Sequence, residues 1–214
     1  MHFELLIEDQ SGKIALECIV SKFIREDTYR IHHYRGIGRV PKNLKPKTDA
    51  RKRILLDQLP KLLQGYGRVP SYDERYVIVI CDLDNRDKLV FLEELTGVLN
   101  ACNPKPEACF CLAIEELEAW FLGDLGAIRS AYPLANNKTL ENYINDSICG
   151  TWEVLANAIY KGGSKALAEK GYQVIGEQKC RWAEAISPHM DLDANKSPSF
   201  QHFYATIRSR TTDH

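Results

Sequence analysis

The segment Tyr76-Val77-Ile78-Val79-Ile80-Cys81 is apolar at nearly every position. A strand with one wet face alternates apolar and polar residues. A continuous apolar run implies burial on both faces, as at the centre of a parallel sheet. The rest of the first half is consistent with such a sheet. Phe3 to Ile7 reads as a first strand, and Ile14, Cys18, Ile19 and Phe23 then recur at helical spacing. Thr28 to Tyr34 has the composition of a second strand, and a Pro- and Lys-rich loop follows from Gly36 to Lys47. Leu55, Leu59, Leu62 and Leu63 form one helical stripe, and Phe91, Leu95, Val98 and Leu99 form another within a helix from about 87 to 101. Cys109 to Ile114 is a fourth apolar strand running into Glu115-Glu116-Leu117-Glu118.

Strands alternating with helices predict an α/β fold with a parallel-sheet core of about four strands. Strand signals stop beyond Asp124, where short helices are expected around Leu140, Trp152 to Tyr160, Gln173 to Ile186 and Phe200 to Ile207. The organisation predicted is therefore an α/β core over residues 1–123 and a helical extension over 124–214 packed on it.

Charge alone selects no partner: 28 Lys and Arg stand against 29 Asp and Glu, a net charge of -1. A nucleic-acid contact would need a local patch. One exists between Arg30 and Arg53, where Arg35, Arg39, Lys42, Lys45, Lys47, Arg51 and Lys52 crowd together with Asp49 as the single acid. His32, His33 and Tyr34 add hydrogen-bonding and stacking groups. No apolar run reaches the roughly 20 residues of a membrane span. The acidic N-terminal stretch is unlike a secretory or transit segment. Seven scattered cysteines, with no Cys-x-x-Cys pair, read as reduced thiols. A cytoplasmic protein without a membrane anchor is expected.

Ligands of open parallel sheets sit beyond the carboxyl ends of the strands. Three of the four expected strands place carboxylates there: Glu8 and Asp9 after the first, Asp82 and Asp84 after the third, and Glu115, Glu116 and Glu118 after the fourth. Asp82 and Asp84 are two apart, so on an extended chain they would point the same way. Converging carboxylates repel unless a cation neutralises them or they take up protons. An all-oxygen set without His or Cys suits Mg²⁺ or Mn²⁺ rather than zinc. Taken singly, each group has an ordinary alternative in turn chemistry or helix capping.

Two competing motifs fail. Asp82-x-Asp84 resembles the aspartyl-phosphate loop of haloacid-dehalogenase phosphatases, but Arg86 stands where that loop wants Thr or Val. Lys161-Gly162-Gly163-Ser164-Lys165 lacks Walker A spacing and a preceding strand, and reads as a helix end and a turn.

A first strand ending in Glu and a central strand ending in Asp-x-Asp resemble the Toprim fold of topoisomerases, primases and OLD-type nucleases. A fuller set of segments is more specific: Leu6-Ile7-Glu8-Asp9-Gln10-Ser11-Gly12, Cys81-Asp82-Leu83-Asp84, Glu116-Leu117-Glu118-Ala119-Trp120-Phe121-Leu122-Gly123-Asp124 and Ser197-Pro198-Ser199-Phe200. These are similar to the bacterial Toprim-like family catalogued as domain of unknown function 4276. That resemblance implies a Toprim-like core with metal-binding carboxylates at Glu8, Asp82 and Asp84, and with Glu116 and Glu118 as further ligands. It also implies an ATPase partner in bacterial defence. Glu115 departs from the Arg expected before the Glu-x-Glu pair, which removes a phosphate contact and adds negative charge.

Two functions compete on these grounds. One is a Mg²⁺- or Mn²⁺-dependent nuclease acting on DNA or RNA. Glu8, Asp82, Asp84 and Glu118 would be its catalytic carboxylates and the basic segment its nucleic-acid contact. The other is a non-catalytic interaction or regulatory module that partners an ATPase.

Overall fold

The computed structural model describes residues 1–41, 45, 49–69 and 74–211. Its four strands are β1 (His2–Ile7), β2 (Thr28–His33), β3 (Arg75–Asp82) and β4 (Ala108–Ala113). They pair in parallel in the order β2-β1-β3-β4. The intervening helices are α1 (Gln10–Ser21), α2 (Leu55–Gly67) and α3 (Lys88–Asn100). After β4 come α4 (Glu118–Leu122), α5 (Leu125–Ala131), α6 (Asn137–Glu141), α7 (Thr151–Ile159), α8 (Gly163–Ala168), α9 (Tyr172–Ile186) and α10 (Pro198–Arg208). The α/β class and the parallel core are as the sequence predicts. Among the described residues, no helix is long and apolar enough to cross a membrane.

Strand alternation builds two cores. Phe3, Leu5, Ile7, Ile78, Ile80 and Cys111 face one way, toward α1 and the C-terminal helices. Leu6, Val77, Val79, Cys81 and Leu112 face the other, toward α2 and α3. The central strand is thus buried on both sides, which accounts for its unbroken apolar run. Leu155, Trp182, Ala183, Ile186, Phe200 and Phe203 belong to the same cluster as the first face of the sheet, so residues 124–211 complete that core. All seven cysteines are free thiols.

The segment from Glu118 to Asp124 anchors this C-terminal half. Trp120 is fully buried, stacks on Phe203 with centroids 4.9 Å apart and meets Phe200 edge-on at 5.5 Å. Its indole N–H donates to Ser199 Oγ at 3.0 Å, and its carbonyl accepts from Asn195 Nδ2 at 2.8 Å. Asp146 closes the joint, accepting from the Ser197 hydroxyl at 2.7 Å and the Ser199 amide at 2.6 Å. Gly123 allows the approach: a Cβ there would sit 2.2 Å from Asn195 Oδ1 and 2.7 Å from the Ser197 amide. Asp124 caps α5 through the Ala127 amide and accepts from the Asp191 amide.

Candidate functional site

The strand order reverses between β1 and β3: the chain leaves β1 toward β2 on one side and returns to β3 on the other. Such a switch point opens a crevice at the carboxyl edge, where ligands of open α/β sheets bind. Glu8 and Asp82 flank it. The Ile7–Ile80 register sets the two side by side, and the Asp82 amide lies 3.4 Å from Glu8 Oε2.

Pairing between β3 and β4 continues past their ends. The Leu83 amide donates to the Ala113 carbonyl and the Asp84 amide to the Glu115 carbonyl, both at 2.9 Å. Asp84 and Glu115 take left-handed backbones there, with φ of 48° and 63°. The expected same-side pairing of Asp82 and Asp84 therefore does not apply, because the chain is no longer extended at Asp84. The Asp84 carboxylate is about half exposed and pairs with Arg86 at 2.9 Å. The same guanidinium donates to the Asp82 carbonyl and lies over the Phe91 ring.

The three acids after β4 separate in role. Glu115 turns to the start of α7 and accepts from the backbone amides of Cys149, Gly150 and Thr151 at 2.9–3.2 Å. It is a helix-capping carboxylate that neutralises the orphan amides there. Glu115→Ala is expected to cost about 1–2 kcal/mol in denaturant unfolding, with ion binding at the edge unchanged. Glu116 and Glu118 instead reach Lys179 of α9, at 3.2 Å and 3.3 Å to Nζ. Glu118 is buried, and the Lys179 side chain is 14% exposed. Asp9 caps α1 through the Gly12 amide and the Ser11 hydroxyl.

Protonation shows how crowded this edge is. Burial, reinforced by Asp9 and Asp84, pushes the Glu8 carboxyl up to about 8, against the Asp82 amide and Lys179. Burial, then Glu8 and Asp9, raises Asp82 well above the usual range. Burial carries Glu118 to about 7, opposed by Lys179 and reinforced by Glu116 and Asp9. Glu116 is raised by burial as well. Burial of Lys179 favours loss of its proton, but Glu118 and Glu116 outweigh that, and the ammonium is held more tightly than a free lysine's. Burial is the main cause for the acids, with neighbouring carboxylates adding to it and Lys179 opposing it, whereas those same carboxylates raise the ammonium.

These residues fit a hard divalent cation. The donors are carboxylate oxygens only, and Glu116 Oε2 is buried without a hydrogen-bond partner. Among the described residues, no three His, Cys, Asp or Glu side chains form a ready-made ligand set, so the edge is an acidic cleft and not a closed cage.

The basic segment adjoins this cleft. The Tyr34 amide donates to the Ile7 carbonyl and the Gly36 amide to the Glu8 carbonyl, both at 2.9 Å. Arg35 is therefore carried alongside Glu8. Arg35, Arg39, Lys45, Arg51 and Lys52 are exposed. Lys42 and Lys47 lie outside the described residues. Burial, with the charges of Arg53, Lys13 and Arg35, lowers the pKa of the His33 imidazole, and Asp9 opposes them. His32 is committed elsewhere, 2.7 Å from the buried Glu4 carboxylate, which Arg75 also engages.

Sequence reasoning missed Lys179. Nothing in Glu177-Gln178-Lys179-Cys180-Arg181 marks it off from an exposed helix face. Only the packing of α9 against α1 brings it to the edge.

Residues 7–208 match the family model described as Domain of unknown function (DUF4276). No curated protein and no solved structure matches the chain.

Proposed function

The chain belongs to the domain of unknown function 4276 family, and from the geometry of its carboxyl edge we propose that it is a divalent-cation-dependent phosphodiesterase acting on nucleic acid. One observation carries this reading. At the switch point of a parallel sheet, Glu8 and Asp82 stand side by side without an ion pair among the described residues, and the carboxylates around them add to the burial that makes both hold protons more tightly than usual. The resemblance of the Glu8 and Asp82-x-Asp84 strand ends to Toprim nucleases supports the same conclusion.

Glu8, Asp82 and Asp84 would hold the ion, Mg²⁺ or Mn²⁺, with Glu116 and Glu118 beside them. Bound there, the ion would supply Lewis acidity toward a phosphoryl oxygen and lower the pKa of a coordinated water. The chain's own residues do the rest. Arg86 stands at the mouth, its guanidinium within reach of a phosphate once it is shared with Asp84. Arg35 and Arg39 lead away from Glu8 along an exposed basic strip suited to a phosphate backbone. In the ion-free site Glu8 and Glu118 hold their protons up to about pH 8 and about pH 7, so the ion competes with protons there.

Labelled single- and double-stranded DNA and RNA, incubated with Mg²⁺ or Mn²⁺ and separately with a chelator, test the activity. Ion-dependent cleavage that falls at least about a hundredfold in Asp82→Asn is expected. A folded protein that binds the ion yet cuts none of these polymers contradicts it. The basic strip has its own readout, the salt dependence of binding. Removing both Arg35 and Arg39 is expected to flatten the slope of log affinity against log salt by about 0.7 for each lost single-strand phosphate contact. An unchanged slope would place nucleic acid elsewhere.

A second reading has one observation in its favour. Lys179 already neutralises part of the acidic edge, as in a structural site that needs little or no ion. The chain would then be an interaction module, with the ATPase implied by the family's bacterial-defence setting as its partner. In that case Asp82→Asn leaves every cellular effect intact.

A further inference from the structure

We propose that Lys179 takes the place of a second cation, so that the acidic edge binds a single divalent ion at Glu8, Asp82 and Asp84 beside a tethered ammonium. This rests on the cation-dependent reading above.

The argument starts from how the carboxylates are shared. After β4, Glu116 Oε1 and Glu118 Oε2 both turn to Lys179 Nζ, at 3.2 Å and 3.3 Å. Between β1 and β3, Glu8 has only the long contact from the Asp82 amide, while Asp84 leans outward to Arg86. The edge is thus divided: Glu116 and Glu118 close on Lys179 and Asp84 on Arg86, while Glu8 and Asp82 make no ion pair among the described residues.

Lys179 is also built in and not draped over the surface. It lies within the 15-residue α9, whose Trp182, Ala183 and Ile186 are buried in the main core. That helix packs along α1, which begins at Asp9 on the same edge. Its side chain is only 14% exposed, so the ammonium has little room to swing into solvent. A divalent ion at Glu116 and Glu118 would have to sit against this fixed positive charge, an unfavourable like-charge contact in a poorly solvated site. An ion between Glu8 and Asp82 would meet that ammonium only at longer range, since Lys179 makes its ion pairs with Glu116 and Glu118 and with neither of these two. A phosphate drawn to it would find Lys179 across the cleft, as a fixed point charge on the opposite side.

The test counts ions. Mn²⁺ bound at saturation is measured by native mass spectrometry, and paramagnetic resonance reports whether two ions are coupled. The parent is expected to carry one uncoupled ion per chain. Lys179→Met keeps the apolar stem but not the charge, and is expected to carry two. Lys179→Arg is expected to stay at one. Lys179→Gln is the second neutral variant, because its amide keeps a hydrogen bond to Glu118 if the Met side chain fails to support folding. Two coupled ions in the parent, or a single ion in a folded neutral variant, would overturn the assignment of Lys179 and leave the cation-dependent reading standing. A parent that binds no ion would overturn both.

Discussion

The ion-free Glu8→Gln variant is expected to melt higher than the parent above about pH 8, and to match it near pH 4.5. Its carboxyl sits at about 8 in the folded chain against an ordinary value of 4.5. Between those limits the unfolded chain has released the proton and the native chain still holds it. The native state therefore binds more protons, and stability falls as pH rises across the window. Above about 8 the whole penalty of an ionised, repelled Glu8 is present, and Gln removes it. At about 1.4 kcal/mol per unit, the shift sets a ceiling of several kcal/mol. Coupling to Asp82 and partial solvent access bring our expectation down to about 2 kcal/mol, or roughly 4–8 °C in melting temperature for a chain of this size. The same substitution is expected to abolish the rise in melting temperature that saturating Mn²⁺ gives the parent. A carboxylate kept for folding would behave oppositely, because its loss would destabilise the ion-free protein. A Glu8→Gln variant less stable than the parent at every pH would contradict this account of the edge.

Trp120→Ala is expected to have the largest effect on stability. The side chain is fully buried between Phe200 and Phe203, and its indole N–H has a partner in Ser199. Truncation leaves a cavity at the joint of α4 and α10 and costs about 3–5 kcal/mol in denaturant unfolding. Because Glu118 begins α4, two residues before Trp120, loosening this joint also frees a carboxylate of the edge. Ion affinity should therefore fall in the variant even under conditions where it remains folded. Trp120→Phe keeps most of the ring burial but leaves the Ser199 hydroxyl without its donor, at a cost of about 1–2 kcal/mol. A loss below about 1 kcal/mol for Trp120→Ala would mean that this segment is not the anchor of the C-terminal half.

These two positions mark what could be read from the sequence. The strands could, because burial on two faces leaves an unbroken apolar run in β3 and compact runs in β1 and β4. The candidate carboxylates could too, because a parallel sheet gathers its strand ends on one edge whatever lies between them. The five-residue α6 falls where a helix is expected around Leu140, but two other short helices could not be read. The seven residues of α5 and the six of α8 span less than two full helical repeats and show no usable period. The separate roles of Glu115, Glu116 and Glu118 were also hidden. A left-handed backbone at Glu115 turns its carboxylate to amides 34 to 36 residues away, and no local pattern announces such a turn. Lys179 was hidden for the same reason: its partners are supplied by tertiary packing alone. The distinctive Glu118-to-Asp124 segment divides on inspection, with Glu118 serving the edge and Trp120, Gly123 and Asp124 holding the C-terminal helices.

The most direct test of the central claim is a calorimetric titration of Mn²⁺ into the parent and into Asp82→Asn, each near neutral pH in two buffers of different ionisation heat. The parent should bind, and the apparent heat should change with buffer because the proton held by Glu8 leaves as the ion enters. Asp82→Asn should give no binding heat. Absence of binding in the parent at about millimolar Mn²⁺, or binding that survives intact in Asp82→Asn, would contradict the assignment of the carboxyl edge as a cation site.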